Sequence, residues 1–275
     1  MVNLPQEIPP ADIAVIGGSS TYSIAFPEAI SREGVEVLAE GLVFETPFGP
    51  GPPLKLFTAS GRRVLTVRMH GWRRGVSRAS ASQQLFWLLS QAGVKEVLAE
   101  GGVGAVNHLL NLRDIMVVSD YLDFSLRKDV SLGTPFLSSM RQPVCPRLAG
   151  SLAQAAGGAK RLFDRGVYAV TDGRHFESRA EVKMLAQLGA DVVGQSMCPE
   201  VYLTREIGAC YARVDQVVNY AEGVIADWQH EDLEDIFYEE ALLLARILLD
   251  AVNLPPQGDP CHCRDLRFPS LLTGV

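Results

Sequence analysis

Glycines and polar residues lie where several predicted strands end. A Gly-Gly-Ser-Ser turn at 17–20 follows the first apolar run, an Arg-Met-His segment at 68–70 closes a later strand, and Gly-Gly-Val-Gly follows a third at 101–104. Ser196 and Asn219 end two further strands. In open α/β sheets, ligands bind beyond the carboxyl ends of the strands. We therefore expect these residues to meet in one site.

The residue types at these strand ends suit an anion. Backbone N–H groups of a glycine turn donate to oxygen, Arg68 supplies a planar fork of donors, and the Ser19 hydroxyl adds a neutral donor. Arg68 and His70 are two apart in a predicted strand and so share a face. Taken singly, each feature is also explained as a tight turn or a solvated side chain. Together they predict a phosphate site.

A second candidate lies in the charged segment DGRHFESRAE at 172–181. Such a segment is usually a solvated helix face. Phe176, followed at once by Glu177, is either a chance break in that face or one wall of a pocket. The segment alone leaves both interpretations open.

A predicted alternation of strands and helices positions these residues. Strands are predicted at 13–16, 35–40, 54–59, 62–69, 94–102, 114–122, 165–173, 190–196 and 211–220. Helical patterns occupy 79–93, 147–157, 178–188, 198–206 and, as the longest helix, 229–252 before a proline pair. The predicted fold class is α/β, a single domain with a mixed, mostly parallel central β-sheet flanked by helices. Three parts follow: an N-terminal extension (1–12), the domain (13–252) and an irregular C-terminal tail (253–275).

The composition excludes several classes of function. The chain has 275 residues, of which 47% are hydrophobic and 21% charged, as is ordinary for a soluble globular protein. A net charge of −7 argues against a general nucleic-acid binder. There is no apolar run of about 18 residues, so no membrane helix is expected. The N-terminus lacks the features of a signal peptide, and a cytoplasmic location is therefore expected.

The five cysteines are Cys145, Cys198, Cys210, Cys261 and Cys263. An odd count in a cytosolic-looking chain argues against a disulfide framework. The Cys-His-Cys segment at 261–263 could bind a metal or close a tight disulfide. It lacks a second ligand pair at zinc spacing, so we expect a tail without metal. The role of these cysteines stays open at this point.

Several segments, in their order along the chain, resemble the trimeric purine nucleoside phosphorylase and methylthioadenosine phosphorylase family. The resemblance spans about Ile13 to Val252. It rests on IGGSS, ETPFG, RMHG, EGGVGAV before RDIMVV, FESRAE, LGADVVGQSMCPE with the EVYLTREIGACYA that continues it, and VVNYA. LGADVVG with the following PE is the most specific of them.

The resemblance implies roles for particular residues. It implies a phosphate site made by Ser19, Arg68, His70, the Gly102 backbone and Ser196. It implies a purine site made by Phe176, Glu177 and Asn219, with the base stacked on Phe176. It implies ribose contacts from Gln195, near the strand end at Tyr220, and from His230, which would face the 5′-hydroxyl. Asn219 and His70 would be the catalytic residues. For His230, a surface histidine in an acidic helical turn is the alternative.

The purine residues favour a 6-oxopurine. In the family, Glu after the stacking Phe and Asn at the strand end belong to enzymes for 6-oxopurine nucleosides, whereas Ser and Asp belong to those for 6-aminopurines. The chemistry agrees, because a carboxylate at Glu177 accepts from N1–H, which adenine lacks. Asn219 accepts from a protonated N7 and donates to O6. The spacing of Arg68 and His70 also resembles the nucleoside phosphorylase branch.

Some positions depart from the family pattern. They are Asp172 in place of Glu, Gly173-Arg174 in place of Gly-Pro, Tyr220 where Lys is frequent, Arg73 in place of a carboxylate that would tune His70, and Gln195 in place of Met. These departures bear on rate and nucleoside preference.

The resulting hypothesis is reversible phosphorolysis of 6-oxopurine nucleosides to free purine and pentose 1-phosphate. Inorganic phosphate is the co-substrate, and no metal or organic cofactor is expected. By resemblance, the protein is a homotrimer or a dimer of trimers, in which Phe136 of a neighbouring subunit completes each site. No nucleic-acid or membrane partner is expected.

Three alternatives remain. The first is a phosphorylase for S-methyl-5′-thioinosine or 5′-methylthioadenosine, which the 5′ pocket around His230, Leu233 and Ile236 would decide. The second is a purine-binding homologue with weakened catalysis. The third, a nicotinamide-dependent dehydrogenase, is weak because the turn at 17–20 does not match the dinucleotide fingerprint.

Overall fold

The strands that the sequence predicts as apolar runs form the centre of the protein. A computed structural model describes residues 7–159, 161–225, 229–254 and 260–271. Its strands are β1 (Ile13–Ile16), β2 (Glu36–Leu42), β3 (Glu45–Thr46), β4 (Gly49–Pro50), β5 (Leu54–Ala59), β6 (Arg62–Val67), β7 (Glu96–Ala105), β8 (Ile115–Val117), β9 (Asp120–Asp123), β10 (Phe136–Ser138), β11 (Leu162–Phe163), β12 (Val167–Val170), β13 (Val192–Gly194), β14 (Cys210–Tyr220) and β15 (Arg267–Pro269). Its helices are α1 (Arg78–Gln91), α2 (Pro146–Ala155), α3 (Arg179–Gln187), α4 (Met197–Glu206), α5 (His230–Glu239) and α6 (Ala241–Asn253).

Eleven of the described strands belong to one sheet. Along its main path the order is β11-β8-β14-β7-β1-β6-β5-β2. Off this path, β13 pairs with the C-terminal end of β7, β12 pairs with β13, and β9 pairs with β12. The strands β6, β1, β7 and β14 are mutually parallel, whereas β2 pairs antiparallel with β5, β5 with β6, and β8 with β14. Every residue of β1 is buried, as expected for a strand covered on both faces. The α/β fold with a mixed, mostly parallel sheet is confirmed.

Local sequence signals explain where the helices begin. The Ser178 side chain accepts from the Glu181 N–H, and Glu181 accepts from the Ser178 N–H, so α3 begins with a capping box. Ser77 caps α1 by accepting from the Ser80 N–H at 3.0 Å, and Pro146 occupies the first turn of α2. Among the described helices, none combines the length and the apolarity that crossing a membrane requires.

The prediction of one long helix at 229–252 is wrong. Glu240 ends α5 and begins α6: its N–H donates to the Ile236 carbonyl, and its carbonyl accepts from Leu243 and Leu244. The two helices serve different surfaces, since α5 packs beside β14 and α6 packs against α2. The helical spacing of apolar residues continues across the break and therefore hides it.

The predicted strand at 114–122 is in fact two strands. It forms β8, which pairs with β14, and β9, which pairs with β12. Between them the Ser119 N–H donates to the Gly166 carbonyl at 2.9 Å, where the chain passes from one neighbour to the next.

Part of the tail predicted to be irregular is ordered structure. A 3₁₀ turn at Cys263–Leu266 leads into β15, which pairs antiparallel with β10. Arg205 donates to the carbonyls of Cys263 and Gln142, the latter at 2.6 Å. These contacts fasten the end of the described chain to the body of the domain.

Candidate active site

A cavity of about 310 Å³ lies at the carboxyl ends of the central strands. This volume lies within the usual range for small-molecule sites. Eight of the ten predicted site residues line it: Ser19, His70, Gly102, Phe176, Glu177, Gln195, Ser196 and Asn219. The residues singled out at strand ends therefore line one cavity, with the exception of Arg68.

The glycine turn after β1 is held by a buried carboxylate. Glu100 accepts from the Gly18 N–H, from the Thr21 N–H at 3.1 Å and from the Thr21 hydroxyl at 2.8 Å. A Cβ atom on Gly18 would lie 2.4 Å from the Glu100 carbonyl oxygen and 2.7 Å from His70 Nε2. Only glycine fits there. Ser19 follows directly, and its hydroxyl accepts from the Gly102 N–H at 3.1 Å.

His70 is buried and held by a carboxylate on α4. Its Nδ1 lies 2.7 Å from Glu200 Oε1, and the Tyr211 hydroxyl donates to the other Glu200 oxygen at 3.2 Å. The Nε2 side of the ring then faces the glycine turn at Gly18. Glu200 thus supplies the carboxylate that the sequence lacks at Arg73, whose guanidinium instead donates to the carbonyls of Pro50 and Gly71 and to Gln84.

Arg68 is the predicted phosphate ligand that this cavity does not include. Its guanidinium lies 4.9 Å from the centre of the Tyr22 ring and donates to the Tyr22 carbonyl. It lines an adjoining groove that shares Ser19 with the cavity. The expectation that Arg68 and His70 share a strand face is wrong: β6 ends at Val67, and His70 has a left-handed backbone (φ 54°, ψ 19°) in a 3₁₀ turn.

Ser196 is backed by a fully buried ion pair. Its hydroxyl accepts from Arg213 Nη2 at 3.2 Å, and Arg213 Nε donates to Asp215 at 2.8 Å. Burial opposes the charge on Arg213, but Asp215, Tyr168 and Tyr211 together outweigh it, so the pKa of Arg213 is raised well above its usual value. Burial also raises the pKa of Asp215, and Arg213 partly offsets this rise. The Ser196 N–H donates to the Tyr168 hydroxyl at 3.4 Å.

The purine residues predicted from the sequence lie in the same cavity. Phe176 forms one wall and is 52% exposed. Glu177 is buried and accepts from the Thr171 hydroxyl, and it directly precedes the capping box of α3. The register between β14 and β7 shifts between Val217 and Asn219. Such a bulge changes the direction in which the side chains at the end of β14 point. The buried Asn219 amide nitrogen donates to the Tyr220 carbonyl at 3.0 Å.

Gln195 lies in the cavity but is already engaged by the protein. Its amide oxygen accepts from Arg78 at 2.7 Å, and its nitrogen donates to the His175 carbonyl at 3.1 Å. Arg78 in turn lies 4.1 Å from the centre of the Trp72 ring. Of the other departures from the family pattern, Arg174 lines the cavity, whereas Asp172 does not line it and pairs with Arg127 at 2.7 Å.

The α5 side of the cavity is apolar. Leu233 and Phe237 line it together with Val218 of β14. Ile236, which the sequence placed in the 5′ pocket, is buried against Val218 and Leu233 and does not line the cavity. His230 is the first residue of α5, and its side chain lies outside the described part of the structure.

Sequence reasoning missed Glu100, Glu200, Arg213 and Asp215. The two charges of Arg-Val-Asp at 213–215 interrupt an otherwise apolar strand pattern, and that signal could have indicated a buried pair. Glu100, at the end of another apolar run, carries a similar signal. Glu200 stands in the PE segment of the family resemblance, but the sequence does not show its contact with His70, which is 130 residues away.

A family model described as the Phosphorylase superfamily matches residues 12–253. The chain belongs to this family. Among curated relatives, this superfamily member is 31% identical over 264 residues to a probable 6-oxopurine nucleoside phosphorylase of Moorella thermoacetica, covering 91% of the chain and 96% of the relative. It is 30% identical over 215 residues to a probable S-methyl-5′-thioinosine phosphorylase of Methanothermobacter thermautotrophicus, covering 77% and 72% respectively.

Solved structures show the same fold. A methylthioadenosine phosphorylase from an Antarctic soil metagenomic library superposes on this superfamily member with a TM-score of 0.78 at 21% identity, covering 97% of the chain and 94% of that structure. The superposition supports the sheet topology described above. The distinction between substrates depends on the side chains in the cavity.

Proposed function

We propose that this phosphorylase-superfamily member catalyses reversible phosphorolysis of 6-oxopurine nucleosides, of the inosine and guanosine type. The observation that supports this most is the shared cavity: Glu177 and Asn219 line the same space as Ser19, His70 and Ser196. The residues proposed to recognise the base and those proposed to bind phosphate thus lie within reach of one nucleoside. The curated relatives named as 6-oxopurine nucleoside phosphorylases, at 27–31% identity, support the same substrate class.

The purine is held between Phe176 and two polar side chains. The Phe176 ring stacks on the base, and the Glu177 carboxylate accepts from N1–H and, in guanine, from the 2-amino group. The Asn219 amide donates to O6 and accepts from N7 as that atom gains a proton. This interaction strengthens as the glycosidic bond breaks and charge moves into the ring, so it favours the transition state over the bound substrate.

Phosphate is the nucleophile and also the counter-charge. Breaking the glycosidic bond builds positive charge on the sugar, and a phosphate dianion beside it stabilises that charge. Ser19, His70 and Ser196 are the proposed donors, and the Gly102 N–H joins them when it gives up its bond to the Ser19 hydroxyl. Because Nδ1 donates to Glu200, the ring faces the phosphate with Nε2, which donates to it when both imidazole nitrogens carry a proton. Arg68 joins this set when its side chain leaves the Tyr22 ring.

A methylthio-nucleoside substrate is the second candidate. The apolar side of the cavity, formed by Val218, Leu233 and Phe237, supports it, since a 5′-methylthio group prefers apolar neighbours. The base residues Glu177 and Asn219 select S-methyl-5′-thioinosine over 5′-methylthioadenosine. The relative named as a probable S-methyl-5′-thioinosine phosphorylase agrees with this candidate.

A single assay tests both candidates. Inosine, guanosine, S-methyl-5′-thioinosine, 5′-methylthioadenosine and adenosine are incubated with and without phosphate, and release of the free base is measured. We expect inosine and guanosine to have the highest kcat/KM and base release to require phosphate. Preference for S-methyl-5′-thioinosine would favour the second candidate. Binding of hypoxanthine without turnover of any nucleoside would instead indicate the purine-binding homologue.

We also propose a homotrimer, or a dimer of trimers, on the strength of the family resemblance. In the single chain, Phe136 lies on β10 with the Arg267 guanidinium 4.0 Å from its ring centre, and the cavity is lined by other residues. Light scattering after gel filtration measures the mass of the assembly. The absence of a cofactor and the cytoplasmic location stay predictions.

A further inference from the structure

Four of the five cysteines meet at one place. Cys145 directly precedes α2, Cys210 is the first residue of β14, and Cys261 and Cys263 belong to the tail. Their sulfur atoms all lie within 4.8 Å of one another, and the sulfurs of Cys210 and Cys261 are 3.3 Å apart. All four are free thiols. The start of α2 and β14 hold Cys145 and Cys210 together, and the tail adds Cys261 and Cys263 to this pair.

The spacing of the sulfurs fits a tetrahedral metal ion. Zinc binds thiolate sulfur at about 2.3 Å, and a regular tetrahedron of such bonds separates the sulfurs by about 3.8 Å. The 3.3 Å between Cys210 and Cys261 and the upper limit of 4.8 Å on all the separations lie on either side of that value. Four thiolates leave no coordination position open, so such a site is structural. A ligand set of soft sulfur alone favours zinc over magnesium or calcium.

The surroundings suit a negatively charged cluster. Four thiolates around a divalent ion carry a net charge of about −2, and the Arg147 guanidinium lies beside the Cys210 sulfur. Cys145 is the N-cap of the ten-residue helix α2, whose first-turn N–H groups favour an anionic sulfur. Cys145 and Cys263 are buried, while Cys210 and Cys261 are half-buried.

The cluster is separate from the proposed reaction site. Cys210 begins β14 and Asn219 lies near its other end, nine residues on, so the two are roughly 30 Å apart at the rise of an extended strand. The cluster instead joins the tail to the body beside the Arg205 contacts with Cys263 and Gln142. Just beyond it, β15 pairs with β10.

We propose that Cys145, Cys210, Cys261 and Cys263 bind one structural Zn²⁺ ion that fastens the C-terminal tail to α2 and β14. This replaces the expectation of a tail without metal. That expectation rested on the missing second ligand pair near 261–263, and the fold supplies the pair from Cys145 and Cys210.

Metal analysis of the purified full-length protein tests the proposal. The protein is prepared with a non-thiol reductant and without chelator, and zinc is measured by elemental analysis and by native mass spectrometry. We expect one zinc per subunit. Cys210→Ser and Cys263→Ser should lose it. Cys198→Ser, which changes the fifth cysteine outside the cluster, should keep it, as should His262→Ala, whose exposed ring faces Asp265.

A second readout does not depend on a variant that folds. Replacing zinc by Co²⁺ in the unaltered protein should give thiolate-to-cobalt charge-transfer absorption in the near ultraviolet and tetrahedral bands in the red. Zinc removal by a chelator should lower the thermal midpoint and expose the tail to proteolysis, and added Zn²⁺ should reverse both effects. Protein that is free of metal under these conditions would overturn the proposal, as would a mass that shows two disulfides and no zinc in protein purified without reductant. Zinc retained in Cys210→Ser and Cys263→Ser would overturn it too.

Discussion

His70 and Glu200 form a buried pair, with His70 Nδ1 2.7 Å from Glu200 Oε1. The two residues come from the turn after β6 and from α4, and neither carries a sequence signal for the other. The pair fixes the imidazole plane, so that Nε2 faces the glycine turn where the proposed phosphate binds. Glu200 acts through His70 and is therefore a positioning residue.

Replacing Glu200 by Gln should weaken phosphate use more than nucleoside use. The neutral amide no longer holds the imidazole by a charge-assisted hydrogen bond, so we expect the KM for phosphate to rise about tenfold, equivalent to roughly 1.4 kcal/mol. The KM for inosine should change little. Steady-state kinetics with each substrate varied in turn provides the measurement. The exposed Glu239→Gln is the control, and an equal rise in both KM values would contradict the assigned role.

Gly18 should not tolerate a side chain. A Cβ atom there would lie 2.4 Å from the Glu100 carbonyl oxygen and 2.7 Å from His70 Nε2, so Gly18→Ala must displace either the strand end or the imidazole. We expect turnover to fall by roughly 10²-fold or more, as is typical when transition-state stabilisation by one group is lost. Gly158→Ala is the matched control, because nothing lies within 4 Å of its added methyl group. Normal turnover in Gly18→Ala would show that the glycine turn does not take part in the reaction site.

The sequence predicts much of the fold because apolar runs indicate where the buried strands lie. The pattern gives β1 and β5 with their observed bounds and most of β14. It misses the break at Glu240, where helical spacing persists across two helices, and it misses the short strands β3, β4, β10 and β15. β10 and β15 depend on pairing with each other across a long stretch of chain, whereas β3 and β4 form a local hairpin of two residues each. Strands this short hold little signal of their own.

The site residues divide in the same way. Ser19, His70, Ser196 and Asn219 stand at or just after strand ends, and Gly102 lies three residues before the end of β7. They are predictable because the strand ends of one sheet converge. The orientation of Arg68 is not predictable, since it depends on the backbone turn at His70 and on the Tyr22 ring. The four-cysteine cluster is also hidden from the sequence, because its cysteines come from the start of α2, from β14 and from the tail.

Asn219 should decide both rate and base preference. Asn219→Ala removes the group that stabilises the leaving purine, and we expect kcat with inosine to fall by roughly 10²-fold or more while the fold is kept. Asn219→Asp presents only acceptors, which repel O6 but accept from a 6-amino group. This variant should lose inosine activity and gain relative activity with adenosine. Circular dichroism checks the fold, and near-normal inosine turnover in Asn219→Ala would exclude the role.

Arg68 should contribute to phosphate binding despite its position over Tyr22. If its guanidinium turns to the anion, Arg68→Ala raises the KM for phosphate about tenfold, equivalent to roughly 1.4 kcal/mol. Arg68→Lys should recover only part of this, because lysine lacks the planar fork of donors. Binding of hypoxanthine, measured by calorimetry, should be unchanged in both variants. An unaltered KM for phosphate in Arg68→Ala would show that the residue belongs to the Tyr22 groove alone.

Variants of the Arg213–Asp215 pair should separate its effect on protein stability from its effect on phosphate binding. Asp215→Ala leaves a fully buried guanidinium without its partner, and we expect a loss of about 3–5 kcal/mol in the free energy of unfolding. Replacing both residues by apolar ones, Arg213→Met with Asp215→Leu, should recover most of that stability, because no buried charge is left unpaired. The double variant still lacks the Arg213 donor that holds the Ser196 hydroxyl. Its KM for phosphate should therefore be higher than that of the unaltered protein. Urea unfolding and steady-state kinetics on the same preparations measure the two effects. A double variant with normal phosphate kinetics would mean that the pair serves the fold only.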